Sequence, residues 1–264
     1  MKHIKIFVSI LATFLFASCD HVAEVDRYIE LEPVKAQRVV LLEEFTGQSC
    51  INCPKAHEAV KTLQQQYGTS IIPVSIHAGS FAIPDGMFGE TFQGLRTEEG
   101  DLYAMQLGNP APPCGVINRN SGVKHDINEW AALVRNELAR PTPLDIQINA
   151  HCVDGKLQAS SMLRSSEPIN GYLQLWVLED SIVSIQLDGS KTITDYVHNN
   201  VYRAALNGVG GQSVSLQANV YEEVAASIPI RDKWNPGKLS IVGFVYDDKG
   251  VIQAARAAVI LEEE

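Results

Sequence analysis

The feature that most constrains this chain of 264 residues is a pair of cysteines placed between two different sequence patterns. Arg38–Phe45 is a short apolar, β-branched run, which is typical of a buried strand. From Cys53 onward the apolar residues fall on one face of a helical repeat that reaches Tyr67, and Gly68 ends it. The pair therefore lies where a predicted strand passes into a predicted helix, with Cys50 just before the helix.

This position favours thiol chemistry. The N-terminus of a helix carries partial positive charge and free N–H groups, both of which stabilise a thiolate. Cys50 falls at that terminus, and Cys53 lies about one helical turn further on, near enough to close a disulfide or to resolve a mixed one. Pro54 is tolerated because the N–H groups of the first turn have no partner inside the helix.

Three interpretations of Cys50 and Cys53 stay open from the residues alone: a redox pair, a closed structural disulfide, or two metal ligands. The metal interpretation adds His57 in a CxxCxxxH triplet and needs one more donor. Because the sequence has no second Cys/His pair with ligand spacing, we expect no metal and no cofactor. His57 is then a solvent-facing or capping histidine. Redox activity is the interpretation that we develop.

The N-terminal residues predict export and lipid anchoring. Residues 1–18 combine basic residues with an apolar stretch that ends in small residues, which is typical of a signal peptide. The stretch is shorter than the roughly 20 residues that span a bilayer. Leu15–Cys19 resembles a bacterial lipobox, which implies a lipid on Cys19 and anchoring without spanning. Residues 19–36 are charged and aperiodic, as expected of a tether.

The rest of the chain changes character near Arg140–Pro143. Residues 37–140 alternate between strand and helix patterns, and residues 141–264 consist almost wholly of strands and turns, such as the two alternating runs that flank Asp154–Gly155. We therefore predict two domains with a boundary near residue 140. The second domain is predicted to be an antiparallel β-sandwich of immunoglobulin-like type.

The charge of the chain excludes nucleic acid as an expected partner. The sequence has 31 acidic against 21 basic residues, a formal net charge of −10. It contains no cluster of Lys and Arg that would offset repulsion by a phosphate backbone.

The order strand, short loop, CxxC and helix resembles thioredoxin. The resemblance implies roles for four residues, namely Cys50 as the attacking thiol, Cys53 as the resolving thiol, Glu44 as the proton carrier and Pro113 as a cis-proline that shapes the substrate groove. The chain departs from thioredoxin at Ser49, where thioredoxin has Trp, and at Ile51-Asn52, where it has Gly-Pro. Because the intervening dipeptide influences the reduction potential, the direction of electron flow is not implied.

Two other cysteines and one histidine are secondary candidates. Cys114 follows the implied cis-proline, so it is either a third participant in exchange or a small buried residue at a strand start. Cys152 is expected to be a core thiol, although a bridge to Cys114 stays open because spacing does not determine pairing. His198, in the polar run DYVHNNVYR, belongs either to a binding loop or to the core.

Over nearly its whole length, the chain resembles the Omp28-related outer membrane lipoproteins of Gram-negative bacteria. The resemblance is carried by the lipobox, the segment EEFTGQSCINCP, the short strand that ends at Asn118-Arg119, and DYVHNNVYRAALNG. It implies an α/β thioredoxin-like domain followed by an all-β domain, and a location in the outer membrane on its periplasmic or surface face.

These observations together predict a lipid-anchored envelope protein that exchanges thiols and disulfides with exported proteins. The membrane is contacted through the lipid on Cys19. The alternative is a surface binding or adhesion lipoprotein that uses the thioredoxin-like fold as a scaffold, without catalysis.

Overall fold

The protein is built mainly of β-strands, and the computed structural model describes residues 34, 36–89 and 91–262. The helices are α1 (Cys53–Tyr67), α2 (Glu98–Gln106) and α3 (Ile127–Leu138). The strands are β1 (Val40–Thr46), β2 (Ile71–His77), β3 (Cys114–Ile117), β4 (Leu144–Val153), β5 (Lys156–Ser165), β6 (Ile169–Glu179), β7 (Ile182–Asp188), β8 (Lys191–His198), β9 (Val201–Ala205), β10 (Gln212–Leu216), β11 (Tyr221–Pro229), β12 (Leu239–Asp247), β13 (Gly250–Ala258) and β14 (Ile260–Leu261).

One large mixed sheet takes strands from both halves of the chain. Its order is β13-β12-β6-β9-β2-β1-β3, and β10 also pairs with β6. Strand β1 is parallel to β2 and antiparallel to β3. The two halves join where Ser75 of β2 pairs with Val201 of β9. The remaining strands form a second sheet, β11-β5-β4-β14, and a separate β7–β8 hairpin.

Strand β6 is buried on both faces from residue 173 to residue 179, and it connects two hydrophobic cores. Leu175 and Val177 face a core shared with β4, β5 and β12. Trp176 and Leu178 point the other way, into a core shared with β1, β2, β9 and β13. This alternation follows from the period of two in a strand. Helices α1 and α3 cover the outer face of β1, β2 and β3 around Trp130.

The predicted fold class, an α/β thioredoxin-like domain followed by an all-β immunoglobulin-like sandwich, is wrong. Strands β1, β2 and β3 do not form a sheet of their own, because β9, β6, β12 and β13 continue it. Trp176, Tyr202 and Phe244 from the second half pack in one core with Leu41 of β1 and Val74 of β2. Periodicity identified β1, β2, β6 and β12 as strands but contained no information on which strands would pair.

The predicted domain boundary near residue 140 stays a prediction, although all the described residues fall in one compact unit. Residues 1–18, Cys19 and most of the tether at 19–36 lie outside the described residues. In the part of the chain that the structure describes, no helix is long and apolar enough to cross a membrane.

Replacing Trp176 tests the role of the core that it shares with β1, β2, β9 and β13. Trp176 is fully buried, and its indole N–H donates to the hydroxyl of Tyr103 at 2.9 Å. We expect Trp176→Ala to lower the free energy of unfolding by about 3 to 5 kcal/mol, because it leaves a cavity where both halves of the chain meet. Urea denaturation followed by circular dichroism measures this loss. Tyr172→Ala in the same strand is the control, since Tyr172 is 48% exposed and should cost far less.

Candidate functional site

Cys50 and Cys53 form a disulfide where β1 passes into α1. Their Cα atoms are 5.4 Å apart. The helix begins at Cys53, with Asn52 as N-cap residue and Pro54 in the first turn. The N–H of Cys53 donates to the carbonyl of Cys50 at 3.3 Å. The disulfide therefore lies at the N-terminus of α1, where the sequence pattern located it.

The loop before the disulfide is held against a neighbouring turn. The N–H of Ser49 donates to the carbonyl of Phe81 at 2.8 Å. A Cβ atom on Gly47 would lie 2.4 Å from the carbonyl carbon of Phe81, so a larger residue would push the two segments apart. Glycine permits this close approach of two backbones.

The β7–β8 hairpin covers the disulfide. Cys50 is only 3% exposed and Cys53 is fully buried. The N–H of Leu187 donates to the carbonyl of Gln48 at 2.8 Å, and the N–H of Gly189 donates to the carbonyl of Ile51 at 3.0 Å. In this conformation neither sulfur atom is open to a protein substrate.

Gln186 fastens the hairpin to the loop. Its buried side-chain N–H₂ group donates to the carbonyls of Cys50 at 3.1 Å and Gly47 at 3.3 Å, and also to that of Leu187 at 3.0 Å. Beside it, the side-chain N–H₂ of Gln48 donates to the hydroxyl of Ser184 at 3.0 Å. The cover is thus held by side chains as well as by backbone.

Glu44 is a fully buried carboxyl group in β1, the strand that leads into the disulfide loop. The hydroxyl of Ser75 donates to its Oε2 at 3.2 Å. Among the described residues Oε1 has no hydrogen-bond partner, and Nε2 of His57 lies 3.5 Å from it. Burial raises the pKa of Glu44 to about 8. The carboxyl group therefore keeps its proton at neutral pH.

Three histidines cluster beside Glu44. They come from α1, β2 and β8, and they are His57, His77 and His198. The ring centroids of His77 and His198 are 5.4 Å apart, and those of His57 and His198 are 6.4 Å apart. Burial lowers the pKa of His57 to about 4 and that of His198 to about 3, and it also lowers the pKa of His77. Because His57 and Glu44 are both neutral, their contact is not an ion pair.

The arrangement does not support the metal interpretation. The two cysteines are bonded to each other, and both ring nitrogens of His57 lie near hydroxyl groups, Nε2 2.9 Å from Thr46 and Nδ1 2.7 Å from Tyr196. Within the described residues, no group of three His, Cys, Asp or Glu side chains is arranged to hold a metal ion. His57 is thus a link between α1 and the hairpin.

A cavity of about 1280 Å³ connects this cluster to solvent. Glu44, Ser75, His57, His77 and Tyr196 all contribute to its lining. The carboxyl group of Glu44 therefore lies at the wall of a cavity and not in a fully packed core.

The other predicted residues lie close to β1. The peptide bond between Pro112 and Pro113 is cis, and Cys114 then begins β3 opposite Phe45. Cys114 is a free, buried thiol, and burial raises its pKa to about 12, so it is a poor nucleophile. Cys152 is also free, so the Cys114 to Cys152 bridge is absent.

The residues that complete the site carry no sequence motif. His198 was expected in a binding loop or in the core, and it is buried at the end of β8. No role was predicted for His77, Gln186 or Tyr196. A buried glutamine carries no motif, and the exposed residues of β8 show no strict alternation. No signal in the sequence pointed to the cover over the cysteines.

Comparison with known proteins identifies the family. The sequence profile described as "Outer membrane protein Omp28" matches residues 101–263, which is more than half of the chain. The chain belongs to the Omp28 family. This confirms the resemblance drawn from the motifs, and it assigns this Omp28-family protein to the outer membrane. The lipid on Cys19 stays a prediction. No curated protein sequence matches the chain.

Solved structures align with this Omp28-family protein at low sequence identity. HBP35 of Porphyromonas gingivalis aligns with a TM-score of 0.67 and 16% identity over 86% of this chain and 77% of that one. A protein from Agrobacterium tumefaciens aligns with a TM-score of 0.50 and 14% identity over 87% of this chain and 100% of that one. A domain of the outer membrane lipoprotein Omp28 from Porphyromonas gingivalis covers 47% of this chain and 93% of its own, at 18% identity and a TM-score of 0.35.

Ionisation of Glu44 should make stability depend on pH. Because the folded state holds the proton more tightly, this group stabilises the protein fully below about pH 4.5, and the contribution is lost as the pH rises to about 8. We expect the free energy of unfolding of the wild-type protein to fall by on the order of 4 kcal/mol across that range, and that of Glu44→Gln not to fall in this way. Urea denaturation at both ends of the range tests this. Glu58→Gln, on the exposed face of α1, should leave the profile of the wild-type protein unchanged.

Protonation of the histidine cluster should make the protein less stable as the pH falls, which is the opposite of the effect of Glu44. An imidazole with a lowered pKa binds its proton better in the unfolded chain, so stability is full above about pH 6.5 and falls as the pH drops toward about 3. We expect His198→Gln to lose less stability than the wild-type protein over this range. Thermal denaturation across the range measures the difference. His125→Gln, at an exposed position, is the control, and an equal acid loss in both variants would contradict the prediction.

Proposed function

We propose that this protein catalyses thiol–disulfide exchange on exported proteins in the cell envelope. The observation that carries the proposal is Glu44, a carboxyl group that stays neutral beside the helix bearing the disulfide. Burying a carboxyl group without a charged partner is costly, and Ser75 offsets only part of the cost with one hydrogen bond. Strongly shifted pKa values of this kind cluster at functional sites.

The chemistry begins with the oxidised pair. A substrate thiolate attacks Sγ of Cys50, a new S–S bond forms, and the Cys50–Cys53 bond breaks with its electron pair on Sγ of Cys53. The protonated carboxyl group of Glu44 supplies the proton that Cys53 takes up. A second substrate thiolate then attacks the substrate sulfur of the mixed disulfide and releases Cys50. The substrate dithiol is oxidised and the pair is reduced, and the reverse reaction follows the same steps.

The roles follow from position. Cys50 precedes the helix and is the cysteine of the pair with residual exposure, so it is the one that meets the substrate. Cys53 is inside the first turn and completes or reverses the exchange. Pro113 lies next to Cys114, opposite β1, where it would border a substrate groove. Exported proteins are the expected substrates because disulfides persist outside the cytoplasm.

The burial of Cys50 favours a second candidate, an outer membrane binding lipoprotein in which the disulfide is only structural. A structural disulfide resists mild reductants, whereas an exchanging pair equilibrates with them. The reduction potential of the pair in glutathione buffers separates the two candidates. A potential between those of thioredoxin and the periplasmic oxidants supports exchange, and its value gives the direction. A pair that stays oxidised in all the buffers supports the structural candidate.

Cysteine variants test the proposal directly. We expect Cys50→Ala to abolish insulin reduction and oxidative refolding, because it removes the sulfur that is attacked. Cys53→Ala should accumulate a mixed disulfide with the substrate, which mass spectrometry detects. Cys152→Ala is the matched control, since Cys152 is a free thiol in β4 and should leave the rates unchanged. Wild-type protein that exchanges in neither direction would end the proposal.

A further inference from the structure

The end of β7 and the turn that follows it contact the disulfide loop through backbone groups. Leu187, in β7, and Gly189, in the turn, donate their N–H groups to the carbonyls of Gln48 and Ile51. Backbone N–H donors of this kind are present in every polypeptide chain. The loop thus binds backbone here, and it requires no particular side chain at these two positions.

We propose that the β7–β8 hairpin is a built-in cover that occupies the place of an extended polypeptide substrate and leaves when such a substrate binds. This inference rests on the proposed exchange activity and adds to it the substrate class and its control. The substrate is an extended, unfolded segment that contains a cysteine. It takes over the carbonyls of Gln48 and Ile51 and brings its sulfur to Cys50.

The hairpin is built to move separately from the sheets. Among the described strands, β7 and β8 pair only with each other. An isolated two-stranded hairpin has little stability of its own, so its position depends on its contacts. Ser181 and Asn200 flank it, and both have positive φ angles, of 62° and 55°. Asn200 is hydrogen-bonded to Asp180 and to Ser75 of β2, so the hairpin can leave the loop while the chain at its base stays attached to the sheet.

Opening the cover should require less free energy when a polypeptide is present. The two backbone hydrogen bonds to the loop are replaced by two from the substrate. What remains to be broken is the set of bonds from Gln186, the bonds of Ser184 with Gln48 and Gln93, and the contact between Tyr196 and His57. A small thiol such as glutathione cannot supply the extended backbone, so it reaches Cys50 only when the cover opens spontaneously.

The cover is tested with a small reductant, independently of any protein substrate. We expect the Cys50–Cys53 disulfide of Gln186→Ala to be reduced by tris(2-carboxyethyl)phosphine about fivefold faster than that of the wild-type protein, the effect of losing one net hydrogen bond. Val183→Ala is the matched control on the same hairpin, because Val183 is 59% exposed and should not change the rate. Equal rates in all three proteins would overturn the inference.

Hydrogen exchange on the wild-type protein keeps the inference testable if Gln186→Ala fails to fold. The amides of Leu187 and Gly189 should exchange together through local opening, faster than those of β6 and without dependence on low concentrations of denaturant. Exchange of these two amides only through global unfolding would show that the hairpin does not open, and it would refute the cover.

The substrate class is tested with a reduced, unstructured dodecapeptide that contains one cysteine, compared with glutathione as thiol. Wild-type protein should react with the peptide faster than with glutathione, and Gln186→Ala should narrow that ratio. The same ratio in both proteins would refute the cover while leaving exchange intact. A third outcome is that neither thiol reduces the disulfide, although the phosphine reduces Gln186→Ala faster than the wild-type protein. That result would refute the exchange activity and the proposed substrate class, and it would leave the hairpin as a cover only.

Discussion

Strand β6 is the element on which the rest of the structure depends, because it is buried on both faces. Trp176 and its neighbours contribute alternately to two cores, one of which reaches β1 and β2. A strand with two apolar faces must be covered on both. The sheet that contains β6 therefore cannot have one face exposed to solvent along this strand. The disulfide loop consequently lies at one end of a continuous structure, and the hairpin that follows β6 reaches it.

The site combines an apolar environment with groups that normally carry charge. Glu44 and the three histidines are all neutral because burial penalises their charged forms. The neutral carboxyl group of Glu44 carries a proton that it can donate when a thiolate forms nearby. The same burial encloses Cys50, so chemistry and access are coupled: whatever exposes the sulfur also changes the surroundings of His57, through Tyr196.

Local elements were largely predictable, and their assembly was not. The helix from Cys53 to Tyr67 and the hairpin around Asp154–Gly155 have the expected positions, because each is specified by periodicity and turn residues within a few positions of the chain. Residues 141–264 were expected to form strands and turns, but no strand was predicted at the positions of β7, β8, β9, β11 and β14. Exposed residues line much of β8 and β11, so alternation is weak there, and β9 is a short strand buried at every residue.

The sequence by itself determined the cysteine pair at the start of a helix, the acid in the preceding strand and membership of the Omp28 family. These depend on residues close together in the chain or on motifs. Only the tertiary structure decided that one sheet unites both halves and that Cys50 is covered. The physical reason is that the pairing of Ser75 with Val201 and the hydrogen bond from Gln186 to Cys50 join residues more than a hundred positions apart. The side-chain pattern of a strand does not specify which other strand it pairs with.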